Sequence, residues 1–324
     1  MATGLLVPED ASGVADIAAQ AESLGYDSVW SPELWGRDVF VALTTAAEAT
    51  EEIDLGTAIA NVYGRSPATL AQAAATLDRV SDGRARLGLG PSTPKVVEDL
   101  HGSDFDRPAR RLHETAELVE QFLTAEGRVE YDGELFSVAD FPSLDADVPV
   151  YAASLGEATR RATGRTATGW LPHNVPFGRL ESAFETIASA ARDADRDPDA
   201  VHVAPWVPAA VSDDPEEARS LVRGHIAYYV GSGEGYRRAV AQSYPDGAEA
   251  VAEAWRDGDR DAARKAVTDE MLANLGVAGD AASARDGLDE VRSMSVVDEP
   301  LVVIPAGTDE GIRSQTIEAL APDA

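Results

Sequence analysis

The sequence contains no cysteine, so disulfide bonds, thiolate nucleophiles, iron–sulfur clusters and zinc–thiolate sites are excluded. Any redox chemistry must therefore come from a bound cofactor. Aromatic residues make up only 6% of the chain against 44% hydrophobic residues, which predicts a core built from aliphatic side chains. No apolar stretch approaches the roughly 18 residues of a membrane-spanning helix, and the start of the chain lacks the basic and apolar regions of a signal peptide. These absences predict a cytoplasmic protein with no membrane partner.

Lysine is nearly absent too, since it occurs only at Lys95 and Lys265. The chain has 57 acidic and 27 basic residues, and its formal net charge is −30. Such a charge repels nucleic acid and anionic lipid surfaces, so neither is expected as a partner. An acidic, lysine-poor composition is typical of proteins from a salt-rich cytoplasm, and we predict a halophilic, haloarchaeal source. An ordinary acidic mesophilic enzyme is the alternative.

Short apolar runs alternate with amphipathic stretches along the 324 residues, which is the pattern of a parallel sheet covered by helices. Eight rounds predict one α/β domain over 1–324, a (β/α)8 TIM barrel whose active site lies at the carboxyl ends of the strands. A doubly wound sheet would carry a glycine-rich fingerprint after its first strand, and none is present. Two stretches, about 126–149 and 231–280, exceed the barrel rhythm and are interpreted as insertions. The strands are predicted at 5–7, 28–31, 53–57, 84–90, 148–153, 169–171, 201–211 and 300–305.

Several predicted strands end in residues suited to a flat ligand or an anion. The third ends in small residues followed by Asn61, so a ring could approach its backbone closely. The fourth ends in glycines and hydroxyls, including Gly90 and Ser92, a composition suited to anion binding by backbone N–H groups. The fifth leads into Ser154 and Gly156 at a predicted helix N-terminus, where the helix dipole favours a negative group.

The histidines do not form a metal-ligand pattern. All five are separated by at least twelve positions, without the i, i+4 pair of a helical metal site, so no metal is expected. His173 follows the sixth strand and is predicted to face the mouth of the barrel. No G-x-S-x-G sequence occurs, which argues against a serine hydrolase.

Four segments in this order and spacing resemble the bacterial-luciferase-like superfamily, and within it the branch that uses the deazaflavin coenzyme F420, as in methylenetetrahydromethanopterin reductase. The resemblance covers roughly residues 3–190 well and the remainder by architecture. The segments are AESLGYDSVW at 21–30, LGTAIANVYGRSPA at 55–68, ATLDRVSDGRARLGLG at 75–90 and VPVYAAS at 148–154.

The resemblance implies a luciferase-like TIM barrel that moves a hydride between coenzyme F420 and a small organic substrate, in a homodimer or larger homo-oligomer. Two alternatives are a monooxygenase that uses FMN and a barrel that binds a flavin-like ligand without turnover. The relatives carry an acidic residue followed by histidine after strand two. Here Glu33 is followed by Leu34, so the histidine is missing and Glu33 is the better acid–base candidate.

The resemblance also implies a cis peptide bond between Ala58 and Ile59 behind the ring, and an alanine-rich helix that contributes to a subunit interface. Glu33 and His173 are the candidate catalytic residues. The candidate cofactor-binding residues are Trp35, Ala58, Ile59, Asn61, Gly90, Ser92, Ser154, Leu155 and Gly156.

Overall fold

The structure, a computed structural model, describes residues 2–8, 10–11 and 13–322. The strands are β1 Gly4–Leu6, β2 Ser28–Ser31, β3 Asp54–Thr57, β4 Ala60–Asn61, β5 Ala85–Gly90, β6 Arg128–Asp132, β7 Ser137–Pro142, β8 Val150–Ala152, β9 Gly169–Trp170, β10 His202–Val203, β11 Trp206–Val211, β12 Val277–Gly279 and β13 Leu301–Val303. The α-helices are α1 Val14–Ser23, α2 Val39–Ala49, α3 Pro67–Val80, α4 Pro108–Thr124, α5 Glu157–Thr166, α6 Leu180–Arg192, α7 Pro215–Ser232, α8 Glu234–Ala241, α9 Pro245–Arg256, α10 Arg260–Ala266, α11 Asp269–Leu275, α12 Ala281–Arg292 and α13 Glu310–Ala319. Within the described ranges, no helix has the length and apolar character needed to cross a membrane.

The main sheet is parallel and follows chain order from β1 through β2, β3, β5, β8 and β9 to β10. β10 and β11 follow each other directly in the chain, and together they close the sheet into a barrel. The Ala204 N–H donates to the Trp170 carbonyl on one side, and the Leu301 N–H donates to the Pro205 carbonyl on the other. β13 then pairs with β1. The predicted TIM barrel is confirmed, with each of its eight strands within two residues of the predicted position.

The helices that flank the barrel begin where the sequence supplies caps. In α3, the Ser66 hydroxyl accepts a hydrogen bond from the Thr69 N–H, and Pro67 occupies the first turn, where its missing N–H costs nothing. Gly83, with φ +88°, reverses the chain after this helix into β5. Ala71, Ala74 and Ala75 of α3 are buried within the chain, so the alanine stripe is already used in intramolecular packing. Association between copies stays a prediction.

Both stretches that exceed the barrel rhythm have structure of their own. Within 126–149, β6 and β7 form an antiparallel hairpin. The stretch 231–280 contains α8 to α11, whose buried residues Val240, Val251 and Met271 form a separate apolar cluster with α7. It ends in β12, which pairs with the end of β11 and is not among the predicted strands. A run of three residues gives no periodicity long enough to detect.

A buried polar network fills the amino-terminal end of the barrel. The fully buried Glu299 carboxylate accepts hydrogen bonds from the Ser28 hydroxyl and, at 2.6 Å, from Arg86. Arg86 also pairs with Asp54. Burial lowers the pKa of Arg86, but the carboxylates of Glu299 and Asp54 raise it further, so the pKa lies above its ordinary value. In barrel enzymes this end is a site of stability and the other end is the site of chemistry.

The surface charge predicts a dependence of stability on salt. We expect the melting temperature to fall as salt is lowered from molar concentrations to about 0.1 M, where the Debye length grows from about 3 Å to about 10 Å. Salt also weakens attractive ion pairs, but the acidic residues exceed the basic ones by 30, so repulsion dominates. Thermal melts in potassium chloride followed by circular dichroism test this. Melting that does not change over this range would contradict the halophilic interpretation.

Candidate functional site

The loops that follow the carboxyl ends of the barrel strands surround a cleft with two adjoining compartments. We call them the inner compartment and the apolar compartment. Pro32, Leu34, Trp35, Trp206, Tyr228 and Tyr229 line both. The inner compartment is also lined by Glu33, Ala58, Ile59, Ser92, Thr93, Lys95, Val96, His173, Ser232 and Tyr236. The apolar compartment, of about 420 Å³, is also lined by Leu6, Val7, Pro8, Ser220, Leu221, Gly224, His225, Arg264, Val303, Ile304, Pro305 and Ala306.

One wall of the inner compartment is backbone with little side-chain cover. The Ala58–Ile59 peptide bond is cis, as the resemblance implied. A Cβ atom at Gly90 would lie 2.7 Å from Cγ1 of Ile59, so only glycine lets β5 pass this close to Ile59. A Cβ at Gly88 would lie 2.0 Å from the Thr57 carbonyl oxygen. The backbone behind this wall is therefore closely packed, and Ala58 and Ile59 line the compartment on its other side.

Glu33 is fixed at the rim of the inner compartment by contacts on two sides. Its carboxylate lies 2.6 Å from an Arg65 nitrogen and accepts a hydrogen bond of 3.3 Å from the Asn61 N–H. Only 8% of the Glu33 side chain is exposed. Arg65 lies 2.5 Å from Asp38 as well, and the two carboxylates raise its pKa against the effect of burial. A fixed carboxylate of this kind can accept a proton or orient a polar group.

A pair of histidines joins the two compartments. Nε2 of His173 lies 3.1 Å from Nε2 of His225, so one ring donates a hydrogen bond to the other. His173 stacks on the Trp206 indole with ring centres 4.4 Å apart, and it meets the edges of Tyr229 and Tyr236. Burial lowers the pKa of His173 well below its ordinary value, with a further contribution from His225, and it lowers the pKa of His225 to about 3. Both rings are therefore neutral at physiological pH.

Several buried polar atoms near the cleft have no hydrogen-bond partner within the described part of the chain. One is the indole Nε1 of Trp206, which lines both compartments. Others are Nδ2 of Asn61 and both amide atoms of Asn174, the residue after His173. Buried donors and acceptors are nearly always satisfied in folded proteins. Of these residues Trp206 lines the cleft, so its unpartnered indole N–H fits a bound molecule that carries a hydrogen-bond acceptor.

The start of α5 forms a second polar location, outside the residues that line the two compartments. The Ser154 hydroxyl is buried and accepts a hydrogen bond of 2.9 Å from Thr163. Gly156 is the exposed N-cap of α5. Nε of Arg160, one turn into the helix, is buried without a partner, and burial together with the nearby Arg179 lowers the pKa of Arg160. An anion would supply the partner that Arg160 and the helix N-terminus share.

The structure brings part of the predicted site together. Glu33, Trp35, Ala58, Ile59, Ser92 and His173 line the inner compartment. Asn61 and Gly90 lie directly behind this wall, whereas Ser154, Leu155 and Gly156 lie apart from it at the start of α5. The sequence analysis missed Arg65, Trp206 and His225 as site residues. His225 is 52 positions from His173 and belongs to α7, and nothing in the sequence relates the two. Among the described residues, no group of three or more histidine, aspartate or glutamate side chains could hold a metal ion.

A closed (β/α)8 barrel with its cleft at the carboxyl ends of the strands defines the class of the TIM-barrel proteins. The family model described as luciferase-like monooxygenase matches residues 2–298, so the chain belongs to this family. It is 32% identical to the 5,10-methylenetetrahydromethanopterin reductase of Methanolobus tindarius over 220 residues, which are 67% of each chain. It is 28% identical to the reductase of the same name from Archaeoglobus fulgidus, over 92% of this chain and 91% of that one.

Two solved structures agree with this assignment. The coenzyme F420-dependent tetrahydromethanopterin reductase of Methanopyrus kandleri superposes with a TM-score of 0.84 at 27% identity, and the match covers 100% of this chain and 98% of the other. An F420-dependent secondary alcohol dehydrogenase gives a TM-score of 0.76 at 19% identity over 99% of both chains, which supports the fold alone. The relatives are oxidoreductases, and the geometry of the cleft is the basis for a proposal about this chain.

Proposed function

We propose that this protein is a coenzyme F420-dependent oxidoreductase that moves a hydride between the deazaflavin ring and a small organic substrate. The observation that carries the proposal is the cleft itself. It has one compartment backed by closely packed backbone and lined by Trp206 with its unpartnered indole N–H, and beside it a second, mainly apolar compartment. A planar ring in the first and a substrate in the second would share the boundary formed by Trp35 and Trp206. The relatedness to F420-dependent reductases supports this reading.

The residues present fit a deazaflavin. Ala58 and Ile59 would support one face of the ring, and the unpartnered Trp206 indole N–H would donate to an acceptor on its edge. Trp35, which is 62% exposed, would cover the ring from the solvent side. Ser92 and its neighbours at the end of β5 would hold polar groups next to the ring.

The phosphate of the cofactor's tail would lie at the start of α5. The helix N-terminus and Arg160 would provide the positive field, while Ser154, Leu155 and Gly156 would shape the turn in front of it. Leu155 lies near α8, because a Cβ at Gly235 would be 3.7 Å from its side chain. The start of the segment 231–280, at α8, would then lie beside the tail.

When bound, the deazaflavin would supply a two-electron hydride carrier with carbon at the position where flavin has its oxygen-reactive nitrogen. The chain's own residues would bind and orient the reactants, exclude water and move a proton. Glu33 and His173 both line the inner compartment and are the proposed proton-handling groups.

The experiment that tests this function compares two cofactors with and without oxygen. Purified protein is titrated with coenzyme F420 and, separately, with FMN, and binding is followed by the fluorescence of each ring. We expect tighter binding of F420, and oxidation of the reduced cofactor at the same rate under nitrogen and in air when a panel of alcohols, aldehydes, ketones and reduced folates is offered. Strict oxygen dependence with FMN would support the monooxygenase alternative. Binding of F420 without turnover on any substrate would support the binding-protein alternative.

A further inference from the structure

The apolar compartment differs chemically from the rest of this acidic protein. The chain carries 57 acidic residues, yet among the described residues that line this compartment Arg264 is the only charged one. Arg264 is already paired with Asp261 on the same helix. Most of the remaining lining is aliphatic or aromatic, and it comes from the ends of β1 and β13 and from α7. The volume of about 420 Å³ lies within the range of small-molecule sites, about 300–1,000 Å³.

The polar contribution of α7 to this compartment includes His225. Its ring lines the apolar compartment, whereas the ring of His173 lines the inner one. Their Nε2–Nε2 hydrogen bond of 3.1 Å uses one nitrogen of each ring, so each ring keeps its Nδ1 for another partner. The rings packed on the pair belong to Trp206, Tyr229 and Tyr236, which are uncharged at neutral pH. A neutral pair of imidazoles can pass a proton from one compartment to the other without becoming charged.

We propose that the apolar compartment takes an uncharged, predominantly apolar ketone, aldehyde or alcohol with its oxygen at His225, and that the His173–His225 pair relays the proton which this oxygen gains or loses. The proposal rests on the hydride-transfer function proposed above and names its substrate class. A reduced pterin, the substrate in the names of the relatives, carries many polar groups that this lining would leave without partners.

In the reducing direction, a carbonyl substrate is converted to the alcohol. The carbonyl carbon accepts a hydride from the reduced deazaflavin, and the π electrons of the C=O bond move to the oxygen, which takes a proton from Nδ1 of His225. Nε2 of His225 takes the proton of His173 Nε2, and Nδ1 of His173 is reprotonated from bulk solvent, which supplies the one net proton that the alcohol gains. The alcohol and the oxidised cofactor result, and both rings stay neutral with their tautomers exchanged. Water that enters after product release returns the tautomers by the reverse relay.

The substrate class is tested with a series of methyl ketones from 2-butanone to 2-octanone, with pyruvate and 5,10-methylenetetrahydrofolate as charged and pterin probes. Each buried methylene is worth about 0.8 kcal/mol, so we expect kcat/KM to rise about fourfold per added carbon until the compartment is full. Leu221→Trp, which narrows the compartment, should flatten this rise. Val41→Trp is the matched control, because Val41 is 66% exposed and lines neither compartment. Preference for the folate or for pyruvate would overturn the assignment.

The relay is tested with His225→Phe, which keeps an aromatic ring but has no proton to pass. We expect kcat for 2-octanone to fall about 10²- to 10⁴-fold while the dissociation constant for F420 stays within about twofold. His113→Phe, on α4 and outside both compartments, is the control and should retain full activity. In mixtures of H₂O and D₂O, kcat of the unaltered enzyme should depend on deuterium content along a curve, because more than one proton moves in the relay. A linear dependence would overturn the relay.

A measurement on the cofactor-free protein keeps the two proposals apart. The Nε2–H proton shared by the two rings should give a downfield ¹H NMR signal that disappears in His225→Phe and persists in His113→Phe. If the signal is present but F420 does not bind, the proposed function is contradicted and the hydrogen bond between the two histidines is supported. Binding and turnover of F420 with full activity in His225→Phe would retain the function and remove the relay.

Discussion

Replacement of Glu33 by glutamine is expected to lower turnover by about 10²- to 10⁴-fold, the usual worth of general acid–base catalysis. Glutamine preserves the size of the side chain and its acceptor for the Asn61 N–H, but it can neither take up a proton nor pair with Arg65 as an anion. Glu33 and His173 line the same compartment, so Glu33 is a second group there that could exchange a proton with the reactants. The measurement is oxidation of reduced F420 under nitrogen with a saturating ketone.

Two control variants separate the proton-handling role from the loss of an ion pair. Arg65→Leu removes the ion pair and leaves the carboxyl group in place, whereas Asp38→Asn removes only the second, half-exposed partner of Arg65. We expect Asp38→Asn to remain active and Arg65→Leu to lose much less activity than Glu33→Gln. Equal losses in Arg65→Leu and Glu33→Gln would show that Glu33 acts only by holding Arg65. Full activity of Glu33→Gln would remove this residue from the mechanism.

Replacement of Glu299 by alanine should lower the free energy of unfolding by about 3–5 kcal/mol, the range found when one partner of a buried ion pair is removed. Arg86 would keep Asp54 as a partner, but its contact with the fully buried carboxylate would be lost. The buried Ser28 hydroxyl would lose its acceptor as well. Urea unfolding followed by circular dichroism measures the change, and the unchanged slope of the transition would show that the unfolded state is comparable.

The matched control for this prediction is Glu185→Ala. Glu185 lies 3.2 Å from Arg192 on the exposed side of α6, with 70% of its side chain exposed. Exposed ion pairs contribute about 0–1 kcal/mol, so this variant should be nearly as stable as the unaltered protein. If Glu299→Ala cost no more than Glu185→Ala, the network at the amino-terminal end of the barrel would have no special role in stability.

The fold could be predicted from the sequence because its signals are local. Apolar runs are bounded by small or capping residues around the whole barrel. Ser66 before α3 and Gly83 after it are examples. The positions 28–31 were predicted as a strand with the bounds that β2 has. β12 was missed because its pairing with β11 depends on residues nearly 70 positions away, and a three-residue run has no period of its own.

The candidate site could be predicted only where residues directly follow a strand. Glu33, Ile59, Ser92 and His173 were found in this way, because the carboxyl ends of barrel strands meet in one place. Arg65, His225 and Trp206 could not be found by this rule. Arg65 lies beyond β4, and His225 belongs to α7. Trp206 lies at the amino end of β11, and the stagger between neighbouring strands sets its position along the barrel axis.

The sequence alone therefore determined the barrel, its two long insertions, its strongly acidic surface and the strand ends that carry the cleft, since all of these follow from composition and local periodicity. Only the tertiary structure decided how the cleft is divided and which groups face each other in it. The fold brings α7 over the loop after β9, so that two histidines without any relation in sequence share a hydrogen bond. Long-range packing decides such contacts, because burial and chain closure act between residues far apart in the chain.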